Sequence, residues 1–380
     1  MTPGARAAAA ITVLDSWLGS MPAEKALTTW ARGARYAGSG DRAAIRDHVY
    51  DVLRRLESCA EAGGGRTGRA LMIGLARLQG WPLEAVFSGG YAPDPLSGSE
   101  CEAPEVTADI WRDVPAWVQP ALRDGLGPVA ETVVGQMAER APLYLRVNGR
   151  KSTRDVVEER LIDSSIETEK CDMGSALMVT KGGRKLRQSQ AYLDGLVEIQ
   201  DLSVQQAVAA ISWPDDGTVL DYCAGGGGKA LAIAATSDAA IHVHDANPAR
   251  MRDLTPRAER AGITLHPMDR AQSYDVVLTD VPCSGSGTWR RDPEAKWHQT
   301  PDRLADLTAL QADILEEAQA LVRPGGRLVY MTCSLLRSEN EDQISAFLTR
   351  HADWRLTQQA RFLPPAASDG FYLAELTQSG

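Results

Sequence analysis

The spacing of apolar residues changes character twice along the chain. In the first third, Ile45, Val49, Val52, Leu53 and Leu56 recur every three or four positions, which lines one face of a helix. Ser39 and Asp41 stand ahead of that run as N-cap candidates, and the glycine-rich "EAGGGRTGR" stops it. The opening "MTPGARAAAAITVLDSWLGS" is interrupted by Asp15 and predicts a short amphipathic helix, not a signal peptide. Tyr91 to Glu105, with its prolines and small polar residues, predicts a loop, and short helices resume around "PAWVQPALRDGLG".

Near Ala141 the rhythm shortens. Leu143 to Val147 predicts a strand, a helix begins near Thr153, and the stretch up to Asp201 is β-rich. From Val204 onward short apolar runs alternate with helical stretches. "TVLDYC", "AIHVHDA", "ITLHP", "YDVVLTD" and "GRLVYMTC" are the strand candidates. "GKALAIAATS", "PARMRDLTPRAERAG" and "TPDRLADLTALQADILEEAQALV" are the helices between them. Strands alternating with helices predict a mostly parallel sheet covered on both faces, with ligands bound beyond the carboxyl ends of its strands. The expected organisation is a helical part over 1–135, a small α/β lobe over 136–202 and a Rossmann-like α/β domain over 203–380.

Composition changes this picture little. A chain of 380 residues with 44% hydrophobic and 24% charged positions suits a protein of two or three domains. No stretch reaches 18 uninterrupted apolar residues, so no membrane span is expected, and the expected location is the cytoplasm. The six cysteines include no C-x-x-C pair, which argues against zinc, and no metal is expected. A monomer is expected. The net charge of −10 weighs against a nucleic-acid partner, yet local patches set that footprint. Arg184, Lys185 and Arg187 form one such patch in an acid-free run. Arg290, Arg291 and Lys296 form another, mixed with Trp289 and Trp297, a combination suited to phosphate contact and base stacking.

Candidate chemistry concentrates at the strand ends. "VLDYCAGGGGKALAIAA" is a strand, a glycine-rich turn and a helix. Its loop, Cys223, Ala224, Gly225, Gly226, Gly227, Gly228 and Lys229, suits close approach of a ligand to the backbone. A nucleotide P-loop would need a glycine at Cys223 and a hydroxyl at Ala230, so ATP and GTP are disfavoured. Asp245 ends the next strand, where an acid would hold a ribose. Asp221, Asp269 and Asp280 add carboxylates, which suit the cationic S-adenosylmethionine and would repel a pyrophosphate. Cys283 and Cys333, each followed by serine, lie beyond two further strands. Two thiols together allow one to attack while the other handles protons.

These motifs resemble the RNA (cytosine-5)-methyltransferases of the RsmB/NSUN family. "CAGGGGK", "DVPCSGSGTWRRDPEAKW", "TCSLLRSENEDQI", "YLRVN", "LVEIQDLSVQ" and "ASDGFYLAEL" carry the resemblance, over nearly the whole chain after Ala141. "SGDRAAIRDHVYDVLRRL" is similar to the NusB-like RNA-binding domain that precedes the catalytic part in one branch of the family. The resemblance implies that residues 223–229 cradle S-adenosylmethionine, with Asp245 on the ribose and Asp269 by the adenine. It implies Asp280 by the methionine end and the target base, Cys333 as nucleophile, and Cys283 as the residue that helps release product. It also implies RNA as partner, 16S ribosomal RNA from the NusB-like region, with transfer RNA as the alternative. The family's loop carries Ala-Pro where this chain continues in glycine, so a looser loop is expected, weakening cofactor binding by roughly 0.5–1 kcal/mol per glycine ordered. Competing readings are a methyltransferase of another substrate, a non-catalytic RNA-binding or assembly factor, and an NAD-dependent oxidoreductase. The first leaves both Cys-Ser motifs idle, the second leaves both cysteines without work, and the carboxylates disfavour the third.

Overall fold

A computed structural model describes residues 1–102, 104–364 and 368–379. Ala103, in the expected loop, and Ala367, at the start of the closing motif, lie outside the described residues. The chain divides into two compact units, one formed by residues 1–120, 128–140 and 289–298, the other by 121–127, 141–288 and 299–380. The expected boundaries place 289–298 with the Rossmann-like domain and 121–127 with the helical part; packing assigns both segments the other way.

The first unit is helical. Its main helices are α1 (Pro3–Leu18), α2 (Ala23–Gly33), α3 (Ser39–Arg54), α4 (Leu56–Gly63) and α5 (Gly68–Leu78). Ile45, Val49, Val52 and Leu53 are fully buried, as their spacing requires. The N-cap of α3 is Gly38, not Ser39 or Asp41. Asp41 instead serves from inside the first turn, accepting from the Gly38 amide at 3.3 Å and from Arg6 Nε at 2.9 Å. The helical run breaks at Arg55, and Gly64 closes α4 in the left-handed conformation at φ 78°.

The same unit recruits the segment after Thr288. Glu294 accepts from Trp17 Nε1 at 3.0 Å and from the Ala23 amide at 3.1 Å. Lys296 donates to the Arg54 carbonyl at 2.7 Å, Trp297 to the Leu53 carbonyl at 2.8 Å, and Arg54 Nε to the Arg290 carbonyl at 2.7 Å.

The second unit holds two sheets. Strands β1 (Leu143–Val147), β2 (Glu167–Lys170), β3 (Ala176–Lys181) and β4 (Val197–Ile199) form an antiparallel sheet in the order β2-β3-β1-β4. The strands β5 (Thr218–Asp221), β6 (Ala240–Val243), β7 (His266–Pro267), β8 (Tyr274–Asp280), β9 (Val322–Thr332), β10 (Trp354–Phe362) and β11 (Phe371–Gln378) make the larger sheet. Its order is β10-β11-β9-β8-β5-β6-β7. Neighbours from β9 to β7 run parallel, and the closing hairpin of β10 and β11 adds antiparallel strands. The "ITLHP" candidate survives only as His266–Pro267 at the sheet edge, where both residues are exposed. Apolar residues cover both faces of the sheet, with Val219, Val276 and Met331 in one cluster and Leu220, Val277 and Tyr330 in another.

Candidate active site

Register brings the chemistry to one edge. Asp221 pairs with Leu278, and Asp280 with Met331, so the ends of β5, β8 and β9 align. Beyond them come the glycine loop, the Cys283 loop and Cys333.

The glycine loop turns on two left-handed glycines and is firmly tied. Gly225 (φ 48°) and Gly227 (φ 79°) hold left-handed backbone that other residues adopt reluctantly. The expected looseness is not what the structure contains. Asp245 Oδ2 accepts from the Gly225 amide at 3.0 Å, and Gln200 Nε2 donates to the Gly228 carbonyl at 3.0 Å. Arg257 donates to the Gly226 carbonyl and also pairs with Glu198 at 3.0 Å. Residues just after β4 and on a neighbouring helix therefore supply the order that Ala-Pro would have supplied within the loop.

Asp245, 3% exposed at its side chain, also meets Arg250 at 3.3 Å. Its other oxygen accepts from the Asn247 amide at 2.9 Å. Asp221 is buried, no side chain among the described residues bonds its carboxyl, and the Ala230 amide in the following helix is the one hydrogen-bond donor near it. Burial pushes its pKa up to about 7, with Lys229 opposing and Asp280 and Asp245 adding to the rise. A buried carboxyl that no side chain hydrogen-bonds, beside a glycine cradle, suits a cationic ligand. The sulfonium and ammonium of S-adenosylmethionine fit that donor set. Asp269 lies after β7, its side chain accepting from the Ala271 amide at 2.9 Å and its backbone fixed by Tyr274.

Lys229, one residue into the helix Gly228–Ala234, pairs with Asp280 and lies 5.2 Å from the Phe371 ring centroid. Burial lowers the Lys229 pKa, but Asp280 outweighs it and the net shift is upward. Asp280 keeps 31% of its side chain accessible, enough to meet a substrate edge.

The two cysteines meet, Sγ to Sγ, at 3.3 Å. Their environments push them apart. The Cys283 hydrogen bond draws Cys333 below its ordinary range; burial and Asp280 oppose this, and Lys229 and Thr288 assist. Cys283 goes well above its ordinary range, first through that same hydrogen bond and then through burial. Of the two, Cys333 is thus the more acidic thiol and Cys283 the less acidic. Cys223 is pushed up by burial and by the carboxylates around it, so it stays a thiol. A cavity of about 410 Å³ opens beside Cys283, lined by Gln299, Arg303, Asp306, Leu307 and Leu310.

The serines after the cysteines have a different task, which the sequence reading missed. Glu339 is fully buried. It accepts from the Ser284 amide at 2.7 Å, the Ser284 hydroxyl at 2.5 Å, the Ser334 hydroxyl at 2.5 Å and Gln311 at 3.0 Å. Asn340 accepts from Thr332 at 2.6 Å and donates to the Ser334 carbonyl at 2.9 Å. One carboxylate thus knots the two cysteine-bearing loops together. The repeated Cys-Ser dipeptide, read with the Glu-Asn pair following the second, was the signal available.

The basic patches fare differently. Arg184, Lys185 and Arg187 are exposed, on a 3₁₀ turn (Gly183–Gln188). Of the other patch, Arg290 is 4% exposed and Lys296 2%, so neither presents its charge to an RNA. Burial pulls Lys296 down to about 8. Trp289 is 1% exposed, which removes it as a stacking platform. Arg291 remains exposed.

Comparison with known proteins follows the geometry. Residues 208–377 match the family described as 16S rRNA methyltransferase RsmB/F, and residues 114–184 match its ferredoxin-like domain. A ribosomal RNA small subunit methyltransferase B of Xylella fastidiosa is 30% identical over 343 residues, covering 87% of this chain and 79% of the relative. A probable ribosomal RNA small subunit methyltransferase B of Bacillus subtilis is 31% identical over 299 residues, covering 70% of this chain and 66% of the relative. The crystal structure of PH0851 shares the fold over 99% of both chains, with a TM-score of 0.80 and 23% identity. NSun6 from Pyrococcus horikoshii, solved with SFG, covers 71% of this chain and 100% of its own, with a TM-score of 0.62 and 17% identity.

Proposed function

The chain belongs to the RsmB/F family of S-adenosylmethionine-dependent RNA methyltransferases, and on that premise we propose that it methylates C5 of a cytosine in 16S ribosomal RNA through a covalent Cys333 adduct. The observation that carries the chemistry is the thiol pair at 3.3 Å, with Cys333 drawn below and Cys283 pushed above the ordinary range. C5 of cytosine is a weak nucleophile. Addition of the Cys333 thiolate to C6 forms an S–C6 bond and makes C5 enamine-like. Asp280, with one oxygen held by Lys229, has its other oxygen to accept from the amino group of the base and so orient the ring. Bound in the glycine loop, the cofactor would supply an electrophilic methyl group for C5, its sulfonium becoming a neutral thioether as the S–CH3 bond breaks. Loss of the C5 proton to a base then lets the S–C6 bond break. Cys283 holds its proton throughout and gives a hydrogen bond to the departing sulfur, which makes Cys333 a better leaving group. The cytosine reaches the thiols unstacked from its neighbours.

Glu339 acts through others: with Ser284 and Ser334 it fixes the spacing of the sulfurs. Residues 223–229, Asp245, Asp269 and the buried Asp221 hold the cofactor in this reading, and Arg184, Lys185, Arg187 and Arg291 meet RNA phosphates. Bisulfite sequencing of ribosomal and transfer RNA, from cells with and without the gene, tests the reading. A gene-dependent protected cytosine in 16S RNA is expected. Protection confined to transfer RNA would redirect the substrate, and no change anywhere would end the proposal.

A further inference from the structure

Arg146 is a buried cation with no anion of its own among the described residues. It sits on β1, and its register partner on β4 is Glu198. The carboxylate of Glu198 is already engaged by Arg257 and Arg260. Arg146 is only 6% exposed, and its one hydrogen bond among the described residues runs from Nε to Gln200 Oε1 at 2.7 Å. Its two terminal nitrogens are left without a partner among those residues. Burial drags its pKa down to about 10, the mark of a charge short of compensation. Buried charges are ordinarily paired, so this exception needs an explanation.

Arg146 lines a crevice of about 360 Å³ in the second unit. One wall is apolar, formed by Val208, Ala209, Ala232 and Ala235. The opposite rim is the start of the helix Arg154–Asp163, whose N-cap Thr153 makes no side-chain cap, leaving its first-turn amides to the rim. Gln205, 1% exposed, adds an orphaned Oε1 among the lining residues. An arginine and an uncapped helix start lining one crevice favour a phosphate, and the apolar wall favours a sugar attached to it.

The crevice is wired to the cofactor loop. Gln200, which accepts from Arg146, also donates to the Gly228 carbonyl at 3.0 Å, and Gln205 holds the Gln200 carbonyl at 2.9 Å. We propose that this crevice binds a phosphate group of the RNA substrate and that its occupancy tightens the cofactor loop through Arg146 and Gln200, so that RNA and S-adenosylmethionine bind cooperatively. The RNA assignment rests on the function proposed above; the anion site does not.

Pyrophosphate serves as the probe, titrated calorimetrically into the full chain with and without S-adenosylmethionine. Wild type should bind it at millimolar concentration or better, and saturating pyrophosphate should tighten S-adenosylmethionine at least threefold. Ala209→Glu places a carboxylate at the exposed mouth without touching Arg146 or Gln200; it should abolish both effects while leaving the affinity for S-adenosylmethionine alone unchanged. Arg146→Lys should retain some pyrophosphate binding and lose the coupling, since an ammonium lacks the fork that grips phosphate and Gln200 together. Equal pyrophosphate binding in all three proteins, or none in wild type, overturns the site. The source is then read from methylation kinetics: a KM for 16S RNA raised about tenfold in Ala209→Glu, at unchanged kcat, supports an RNA phosphate. An unchanged KM alongside lost pyrophosphate binding overturns that assignment in favour of a free nucleotide. Absence of RNA methylation by wild type would sink the proposed function while leaving the anion titration to stand by itself.

Discussion

Two buried polar clusters adjoin the paired thiols, and they are built to opposite rules. Around Glu339, both carboxylate oxygens are saturated by Ser284, Ser334 and Gln311. Around Asp221, a carboxyl equally deep in the protein finds no side-chain hydrogen bond among the described residues and only the Ala230 amide nearby. Burial costs both groups their water, but only the first recovers that hydration from within the chain. A closed network of that kind fixes geometry. An open one waits for a ligand, and the glycine cradle around Asp221 indicates where the ligand lies. Satisfaction of hydrogen bonds, more than burial or charge, thus separates the scaffold of this site from its working surface.

Substitutions can break that contrast in graded steps. The largest effect belongs to Cys333, the proposed nucleophile. Cys333→Ala should reduce methyl transfer on the order of 10⁴-fold or more, with cofactor affinity nearly unchanged, by radiolabel incorporation and calorimetry. Retained activity would remove Cys333 from the reaction. Next, Cys283→Ala should leave attack possible but slow release, so an RNA-linked protein accumulates as a retarded, RNA-dependent band on a denaturing gel. Glu339→Gln turns an acceptor into a donor against hydroxyls that need one. It should cost roughly 2–4 kcal/mol of unfolding free energy, from two or so buried groups left unmet. The same variant should shift the pH–rate profile of Cys333 alkylation; if neither readout moves, the knot is ornamental.

Asp221 tests the open cluster by pH. Its folded pKa, about 7, lies above the ordinary 3.8, so the protonated form is the one folding favours. That contribution is complete below about pH 4 and is lost as pH rises through about 7. A cation at the site wants the ionised form. Affinity for S-adenosylmethionine should therefore climb between pH 6 and 8, by at most about tenfold per unit below the pKa. Asp221→Asn should flatten the curve, and a flat wild-type curve would contradict the assignment. Smallest is the exposed patch: charge reversal at Arg184, Lys185 and Arg187 should lower the salt slope of RNA binding by about 0.7 for each phosphate no longer neutralised.

Much of this architecture was legible in the sequence. Leu143 to Val147 is the strand its pattern describes, and the alternating runs after Val204 build the parallel sheet. The strand ends were legible because βα turns carry glycines, and because Cys283 and Cys333 occupy equivalent places. Other features depend on long-range packing that no local pattern encodes. Glu339 lies 55 positions from Ser284, and nothing in "RSENED" marks a glutamate that will be stripped of water. Arg290 and Lys296 resemble a nucleic-acid patch in the sequence because composition cannot register burial. The all-glycine loop reads as slack because its restraints, Gln200 and Arg257, come from elsewhere in the chain.

The segment 289–298 has one further consequence. The chain passes between its two units after Pro120, Gly127, Arg140, Thr288 and His298. No single cut separates them, and removal of the helical unit would strand Trp289 and Lys296 without the neighbours that bury them. A truncated catalytic fragment, so natural a design from a linear domain map, should come out of the cell insoluble. The segment that follows the Cys283 loop is thus part of the helical unit's fold, and the two units are continuous rather than modular.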